Sequence, residues 1–277
     1  MSTTATTTEP AGAATPRTAR RRPPGSRERR RDRILAIATP ILLLALWELA
    51  ARAGWIDFRY FPAPTEIIGQ GVKLTRDGML TDQLLITLWR LVLGLLIGGV
   101  PAVLIGLAMG LYRPLRAMLD PLIAATYPIP RSALLPLIIL VFGLGESSKV
   151  FMVALGTFYP IVINTAVGVT SIPRIYLDVA HNYGAKGFRL FRTVALPGAL
   201  PMIMTGVRLS VGLALIMIVI AEMFGAEEGL GFMLWNSWQV FAIDTMYVGL
   251  LTIGILGYLV NLITVVAERR LVPWVGK

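Results

Sequence analysis

The chain is poor in the residues that most often carry chemistry: it has no cysteine, one histidine and few charged side chains. Without cysteine, disulfides and thiolate metal sites are excluded, and cysteine usage gives no information on the redox compartment. Charged residues make up 15% of the 277 residues, whereas an average soluble domain has about 25%. Apolar residues reach 55%, and the mean hydropathy is +0.69. This composition indicates an integral membrane protein.

Motifs for catalysis are also missing from the sequence. No carboxylate pair, metal-ligand cluster or nucleophile with an adjacent base stands out. No Gly-x-x-x-x-Gly-Lys-Ser/Thr phosphate loop occurs, so the chain lacks the usual means of binding and hydrolysing ATP. We therefore expect a protein that is not an enzyme and has no cofactor of its own.

Long apolar runs dominate what is present. About 20 helical residues cross the roughly 30 Å of membrane hydrocarbon, and six runs approach or exceed that length. They predict an all-α integral membrane protein with six transmembrane helices in one domain. Buried helices of a soluble protein are a poor alternative, because most of the runs exceed the 10–14 residues typical of a core helix. The runs are 34–51, 84–111, 122–142, 150–170, 202–224 and 246–267.

The net charge of +10 is concentrated near the N-terminus, where nine of the 26 Lys and Arg residues precede Ile34. The Thr, Ala and Pro content of residues 1–33 predicts a disordered tail that lies against anionic lipid and needs no nucleic-acid partner. A cleaved signal peptide is the alternative, but the following apolar run exceeds the 7–15 residues of a signal core. We expect a membrane domain over 34–270 and a short cytoplasmic tail over 271–277.

Loop charges predict the orientation of the chain in the membrane. Lys and Arg occur in 112–120, in 171–197 and in the C-terminal tail, whereas 225–245 contains neither. The positive-inside rule then places both termini in the cytoplasm. Residues 65–74, before the second run, predict a short interfacial helix.

A sequence pattern marks the loop between the fourth and fifth runs. The triplet Asp178-Val-Ala180 is followed after three residues by Gly184, and after nine more by Val194-Ala-Leu-Pro197. This pattern resembles the ATPase-docking loop of bacterial ABC importer permeases, in which the triplet reads Glu-Ala-Ala. Asp178 keeps the carboxylate of the family's glutamate and shortens its reach by one methylene.

Further segments resemble permeases of the nitrate, sulfonate and taurine group, and the resemblance covers the chain from about Phe61 to Arg270. It implies a type I ABC importer permease fold that forms half of a translocation pore in the bacterial inner membrane. The segments are Pro62-Ala-Pro-Thr, Leu88-Trp-Arg90, Tyr127-Pro-Ile-Pro130, Leu134-Leu-Pro136, Phe142-Gly-Leu-Gly-Glu146, Ala221-Glu-Met-Phe-Gly225 and Gly229-Leu-Gly231.

The resemblance also implies partners. These are two ABC ATPase subunits that bind ATP, a second permease subunit and an extracytoplasmic solute-binding protein. A homodimer of the permease is the default, and a pair of non-identical permeases stays open. The implied cargo is a small anion such as an alkanesulfonate, taurine or nitrate. A secondary transporter or a non-transporting scaffold subunit is the alternative, although the chain shows no internal repeat of the kind that secondary carriers often have.

Within the loop 171–197 we expect two short helices, 176–182 and 187–195, with a turn at Gly184. Apolar side chains of these helices fit a groove on a partner, which is a known mode of recognition. The alternative is that Arg189 and Arg192 only lie on lipid headgroups. The predicted ATPase-coupling residues are Asp178, Ala180, Gly184, Lys186, Phe188, Leu196 and Pro197.

Prolines 121, 128, 130 and 136 predict a break in the third span, and irregular backbone at membrane depth is tolerated where it lines a cavity. Charged residues inside spans are functional candidates. Arg90 and Arg131 lie near predicted span ends, from which they could snorkel, whereas Arg208 needs a partner or water; for Arg208 we favour a structural pair over cargo contact. The candidate substrate-path residues are Tyr127, Pro130, Arg131, Arg208 and Glu222.

Small residues recur at every fourth position of the second span and stack on one helical face. They predict close approach of another helix, within the subunit or across a dimer interface. A shorter stripe lies in the fifth span at Gly206, Ser210 and Ala214. The stripe of the second span comprises Gly94, Gly98, Ala102, Gly106 and Gly110.

Overall fold

The computed structural model describes residues 26–274, which form helices and connecting turns without a β-strand. Residues 1–25 of the predicted tail and residues 275–277 lie outside this range. The chain divides into two compact units, Met1–Leu49 and Ala50–Lys277. The helices are α1 (Ser26–Arg52), α2 (Pro64–Arg76), α3 (Met79–Leu111), α4 (Arg113–Thr126), α5 (Leu135–Phe142), α6 (Glu146–Thr170), α7 (Arg174–Asn182), α8 (Phe188–Gly225), α9 (Leu230–Gln239) and α10 (Ile243–Leu271).

The predicted number of spans agrees with these helices. Five helices, namely α1, α3, α6, α8 and α10, are long and apolar enough to cross a membrane. A sixth candidate is the pair α4 and α5, whose axes differ by 86°. All six predicted apolar runs fall within these elements. In the first unit, helix α1 begins at Ser26, inside the segment that was predicted as a disordered tail.

The break between α4 and α5 lies where the prolines predict it. Residues 127–130 form turns outside both helices, and a short 3₁₀ turn, Arg131–Leu134, precedes α5. Pro128 and Pro130 have no N–H to donate, and each disfavours helical geometry in the residue before it. Pro136 lies in the first turn of α5, where a missing N–H is harmless.

Helix α6 lies between α3 and α8 and is the most buried span. The small-residue stripe of α3 faces α6 within the same chain. A Cβ on Gly98 would lie 2.3 Å from the carbonyl oxygen of Ala154, so the two backbones approach more closely than any larger residue allows. On the other side of α6, a Cβ on Gly206 of α8 would lie 2.9 Å from the carbonyl oxygen of Pro160. The predicted close packing is confirmed, and the stripe of α3 packs inside the subunit.

The loop 171–197 contains one short helix, not two. Helix α7 matches the first predicted helix, but residues 188–195 are the opening turns of the long helix α8. A proline such as Pro197 usually interrupts a helix. Residues Phe191–Ala195 instead adopt π-helical geometry, in which the N–H of Leu196 bonds the carbonyl of Phe191. This local widening lets the helix continue through Pro197.

The end of the bundle that carries α7 is called here the coupling-loop end. Helix α10 finishes at this end, since Trp274 lies beside Tyr176 and Pro197. Helix α2 is near the opposite end, where the amide of Gln70 donates a 3.0 Å hydrogen bond to Thr245. The predicted short helix at 65–74 is therefore present as α2.

Candidate functional site

The turn after α7 is a Schellman motif. Gly184 has φ +73°, its N–H bonds the carbonyl of His181 at 2.9 Å, and the N–H of Ala185 bonds the carbonyl of Ala180 at 2.9 Å. The side chains of Ala180 and Ala185 are both buried. Two residues of the sequence pattern, Ala180 and Gly184, thus fix the shape of this turn.

Aromatic side chains are exposed on both sides of the turn. Tyr183 is 84% exposed and Phe188 is 75% exposed, and the ring of Phe188 stacks on Phe191 with 5.8 Å between centroids. Asp178 and Lys186 are exposed nearby. Large apolar groups exposed beside charges at the tip of a bundle are typical of a surface that binds a partner.

A groove of about 730 Å³ runs beneath this tip. Its walls come from α7, from the first turns of α8 and from Trp274 near the C-terminus. Of the predicted coupling residues, Ala180 and Pro197 line the groove, and Leu196 is partly buried next to it. The seven predicted coupling residues therefore occupy one end of the molecule, some forming the exposed tip and some its base.

The predicted substrate-path residues lie in three separate places. Tyr127, Pro130 and Arg131 lie together in the break between α4 and α5. Arg208 is on α8 and forms an ion pair with Glu268 of α10, which supplies the partner that a charge within a span requires. Glu222 lies near the far end of α8, away from both.

Glu222 is fully buried and is the centre of a polar network. Its carboxylate accepts hydrogen bonds from the hydroxyl of Thr87 at 2.9 and 3.0 Å, from Nη1 of Arg90 at 2.9 Å and from the N–H of Gly231 at 3.0 Å. The network joins α3, α8 and the start of α9 at the end of the bundle opposite the coupling loop. Every oxygen of this buried carboxylate is therefore satisfied.

Arg90 is the cation of the network and is buried, so the expectation that it snorkels to the membrane interface is wrong. Its Nε donates to Glu146 Oε2 at 2.7 Å, and its Nη2 donates to Glu146 Oε1, giving a two-pronged pair with the first residue of α6. Nη1 also donates to the carbonyl of Glu228 at 2.7 Å. Two carboxylates and a carbonyl thus compensate one buried guanidinium, as a buried charge requires.

Two glycines make room for the network. A Cβ on Gly229 would lie 2.3 Å from Cδ of Glu222, and Gly229 has φ +112°. A Cβ on Gly231 would lie 2.5 Å from the carbonyl oxygen of Val219. The segment Gly229-Leu-Gly231, which carries part of the family resemblance, therefore has a physical reason for both glycines.

Sequence reasoning missed the partners Thr87 and Glu146. A signal was present, because Arg90 lies near the start of one predicted span and Glu146 lies just before the start of another. That signal does not say which of the acidic residues pairs with Arg90, since the pairing depends on how α3, α6 and α8 pack.

Comparisons with known proteins agree with these features. Residues 102–277 match the family of binding-protein-dependent transport system inner membrane components. The chain is 38% identical to SsuC of Escherichia coli (strain K12), a permease named for aliphatic sulfonate transport, over 85% of this chain and 89% of that protein. It is 34% identical to the taurine transport system permease protein TauC of the same organism, over 88% of this chain and 90% of that protein. SsuC of Bacillus subtilis (strain 168) is 32% identical, over 85% of each.

The matched family is a family of transport permeases, which are not enzymes and have no cofactor of their own. Membership implies an ATPase and a solute-binding protein as partners, and it does not favour a secondary transporter or a scaffold subunit. The candidate spans agree with a type I ABC permease fold. The chain therefore belongs to the binding-protein-dependent transport system inner membrane components and is a permease subunit of an ABC importer of the bacterial inner membrane.

Proposed function

We propose that this permease imports alkanesulfonates or taurine and docks on its ATPase through the loop 171–197. The observation that supports docking is the exposed pair Tyr183 and Phe188, held at the tip of the bundle by the turn at Gly184. ATP is bound and hydrolysed on the separate ATPase, because this chain has no phosphate loop. Asp178 and Lys186 flank the aromatic tip and supply charges for the rim of the interface.

Helix α8 is the mechanical link in this proposal. It runs without interruption from Phe188, beside the docking tip, to Gly225, next to the buried network of Glu222. At 1.5 Å per residue its 38 residues span about 55 Å. When the ATPase displaces the tip, α8 transmits the movement to the opposite end of the bundle as one rigid element. This movement would convert the permease between inward-facing and outward-facing states.

The orientation follows from docking. An ATPase that uses cellular ATP lies in the cytoplasm, so the coupling-loop end faces the cytoplasm. Trp274 lines the groove at this end, which supports a cytoplasmic C-terminal segment. With six spans over 34–270, the N-terminal residues 1–33 are cytoplasmic as well, in agreement with their positive charge.

A second permease subunit completes the pore in this proposal, and a second copy of this chain is the expected partner. Six spans form half of a translocation path in permeases that this chain resembles. The broken third span is the proposed pore-lining segment, since irregular backbone at membrane depth lies where it is covered by protein or faces a water-filled cavity.

The cargo proposal rests on the relatives named for aliphatic sulfonates and taurine, and uptake tests it. Membrane vesicles that contain the permease, its ATPase and its binding protein are supplied with ATP and with labelled taurine, ethanesulfonate or nitrate. We expect ATP-dependent uptake of at least one sulfonate, competed by the others and not by nitrate. Uptake of nitrate alone would contradict the cargo, and uptake that persists without ATP would contradict the mechanism.

A further inference from the structure

Arg131 is located at mid-depth of the bundle. Its guanidinium carbon lies 5.0 Å from the ring centroid of Tyr159, which is near the middle of α6. At 1.5 Å per residue, Tyr159 is about 20 Å from the start of α6 and about 17 Å from its end. The side chain of Arg131 cannot reach either end, so the expectation that it snorkels is wrong. Charges at this depth are rare and are functional candidates by default.

The guanidinium of Arg131 has donors without acceptors. Its Nε and Nη2 atoms are buried and have no hydrogen-bond partner among the described residues. Together these atoms present three N–H groups. The guanidinium of Arg90, by contrast, is compensated by two carboxylates and a carbonyl. Buried N–H groups that lack an acceptor are costly, and the cost falls when an anion accepts their hydrogen bonds.

Two tyrosine rings surround this cation instead. The guanidinium carbon of Arg131 lies 5.3 Å from the ring centroid of Tyr127, in addition to the contact with Tyr159. The two rings meet edge to face, 6.0 Å apart. Cation–π contacts hold the guanidinium in place without using its N–H groups, which therefore remain without an acceptor.

The chemistry of the site fits a strong organic anion. The planar fork of an arginine matches two oxygens of a tetrahedral anion, and aromatic rings accommodate a short aliphatic chain. The site lies at a break between two half-helices, which is where transporter ligands commonly bind. We propose that Arg131, with Tyr127 and Tyr159, is an anion subsite inside the membrane that binds the sulfonate group of the cargo in passage. This inference rests on the proposed function.

The test uses the complete importer in proteoliposomes. ATP is supplied on the side of the membrane that carries the ATPase, and the binding protein on the other side is loaded with taurine. Two quantities are measured together: taurine transported and ATP hydrolysed. The variants are Arg131→Gln and Arg131→Lys. Arg113→Gln is the matched control, because Arg113 begins α4 of the same broken span and is exposed.

For Arg131→Gln we expect the taurine transported per ATP to fall about tenfold while ATP hydrolysis stays within about twofold of the wild type, because docking does not involve this residue. Arg131→Lys keeps the charge and loses the planar fork. Its taurine transported per ATP should therefore lie between the values of Arg131→Gln and the wild type. The control should transport like the wild type. A merely structural residue would lower transport and hydrolysis in proportion.

An unchanged ratio in Arg131→Gln would overturn the inference. A proportional loss of both activities would also overturn it, as would separation of the two permease subunits, since that result would mean that Arg131 pairs with a carboxylate of the second subunit. If the Arg131→Gln chain does not fold and is not recovered from the membrane, Arg131→Lys decides by its ratio. A wild-type importer that moves no sulfonate would refute the proposed cargo, and this outcome is seen before any variant is made.

Discussion

Replacing Glu222 by glutamine tests whether the buried network holds the end of the bundle opposite the coupling loop. Glutamine has the shape of glutamate but is neutral, and one of its two terminal atoms is a donor. If the amide nitrogen takes the place of Oε1, it faces Nη1 of Arg90; if it takes the place of Oε2, it faces the N–H of Gly231. Either orientation leaves one buried donor without an acceptor and removes the charge that Arg90 contacts.

The cost follows from general magnitudes. An unsatisfied buried donor costs about 1–3 kcal/mol, and a hydrogen bond to a charged group contributes about 1.5–3 kcal/mol. Removing one member of a buried ion pair costs about 3–5 kcal/mol. Arg90 keeps its pair with Glu146, so we expect the lower end, about 3 kcal/mol. For a protein of 150–250 residues each kcal/mol shifts the melting temperature by about 2–4 °C, which gives about 6–12 °C here.

The assay is thermal unfolding of the purified permease in detergent, followed by the fluorescence of its tryptophans. The control is Glu227→Gln, the same change at an exposed carboxylate of the adjoining turn. We expect Glu227→Gln to unfold within about 1 °C of the wild type, because exposed charges contribute little. An equally small shift for Glu222→Gln would refute the view that the network stabilises the bundle.

Three further predictions concern packing and the coupling tip. Gly98→Ala should lower the melting temperature by several degrees, since overpacking costs about 1–3 kcal/mol, whereas Gly212→Ala, with nothing within 4 Å of its Cβ, should not lower it. Gly184→Ala meets open space but has φ +73°, so it should cost about 1 kcal/mol and weaken ATPase co-purification. Phe188 is 75% exposed, so Phe188→Ala should leave the melting temperature unchanged. It should reduce the amount of co-purified ATPase at least as much as Gly184→Ala does. Equal ATPase recovery from wild type and Phe188→Ala would contradict a docking role for this ring.

Local signals explain why so much of the fold is predictable from the sequence. A span needs only length and apolarity, so all six runs are found without knowing their neighbours. The break near Pro128 and the turn at Gly184 depend on one or two residues each. The small residues of α3 predict close packing because their spacing alone places them on one face.

Features that depend on packing between distant segments were not predictable. The pairing of Arg90 with Glu146 and Glu222 requires three helices to meet, and nothing local selects those two carboxylates. The depth of Arg131 depends on the 86° bend of its span. Arg131 lies near the middle of the run 122–142, and in the bent span it contacts Tyr159 near the centre of α6. The continuity of α8 through Pro197 depends on π-helical geometry that has no simple sequence signature.

Site-directed photo-cross-linking tests the proposed coupling loop most directly. A photoreactive phenylalanine analogue replaces Tyr183, which is 84% exposed at the tip, or Tyr258, which is 67% exposed in the middle of α10. Cells that express the whole importer are illuminated, and adducts of the permease are identified by mass spectrometry. The account predicts an adduct with a separate ATPase polypeptide from position 183 and none from position 258. An ATPase adduct from neither position, in an importer that still transports its cargo with ATP, would contradict it.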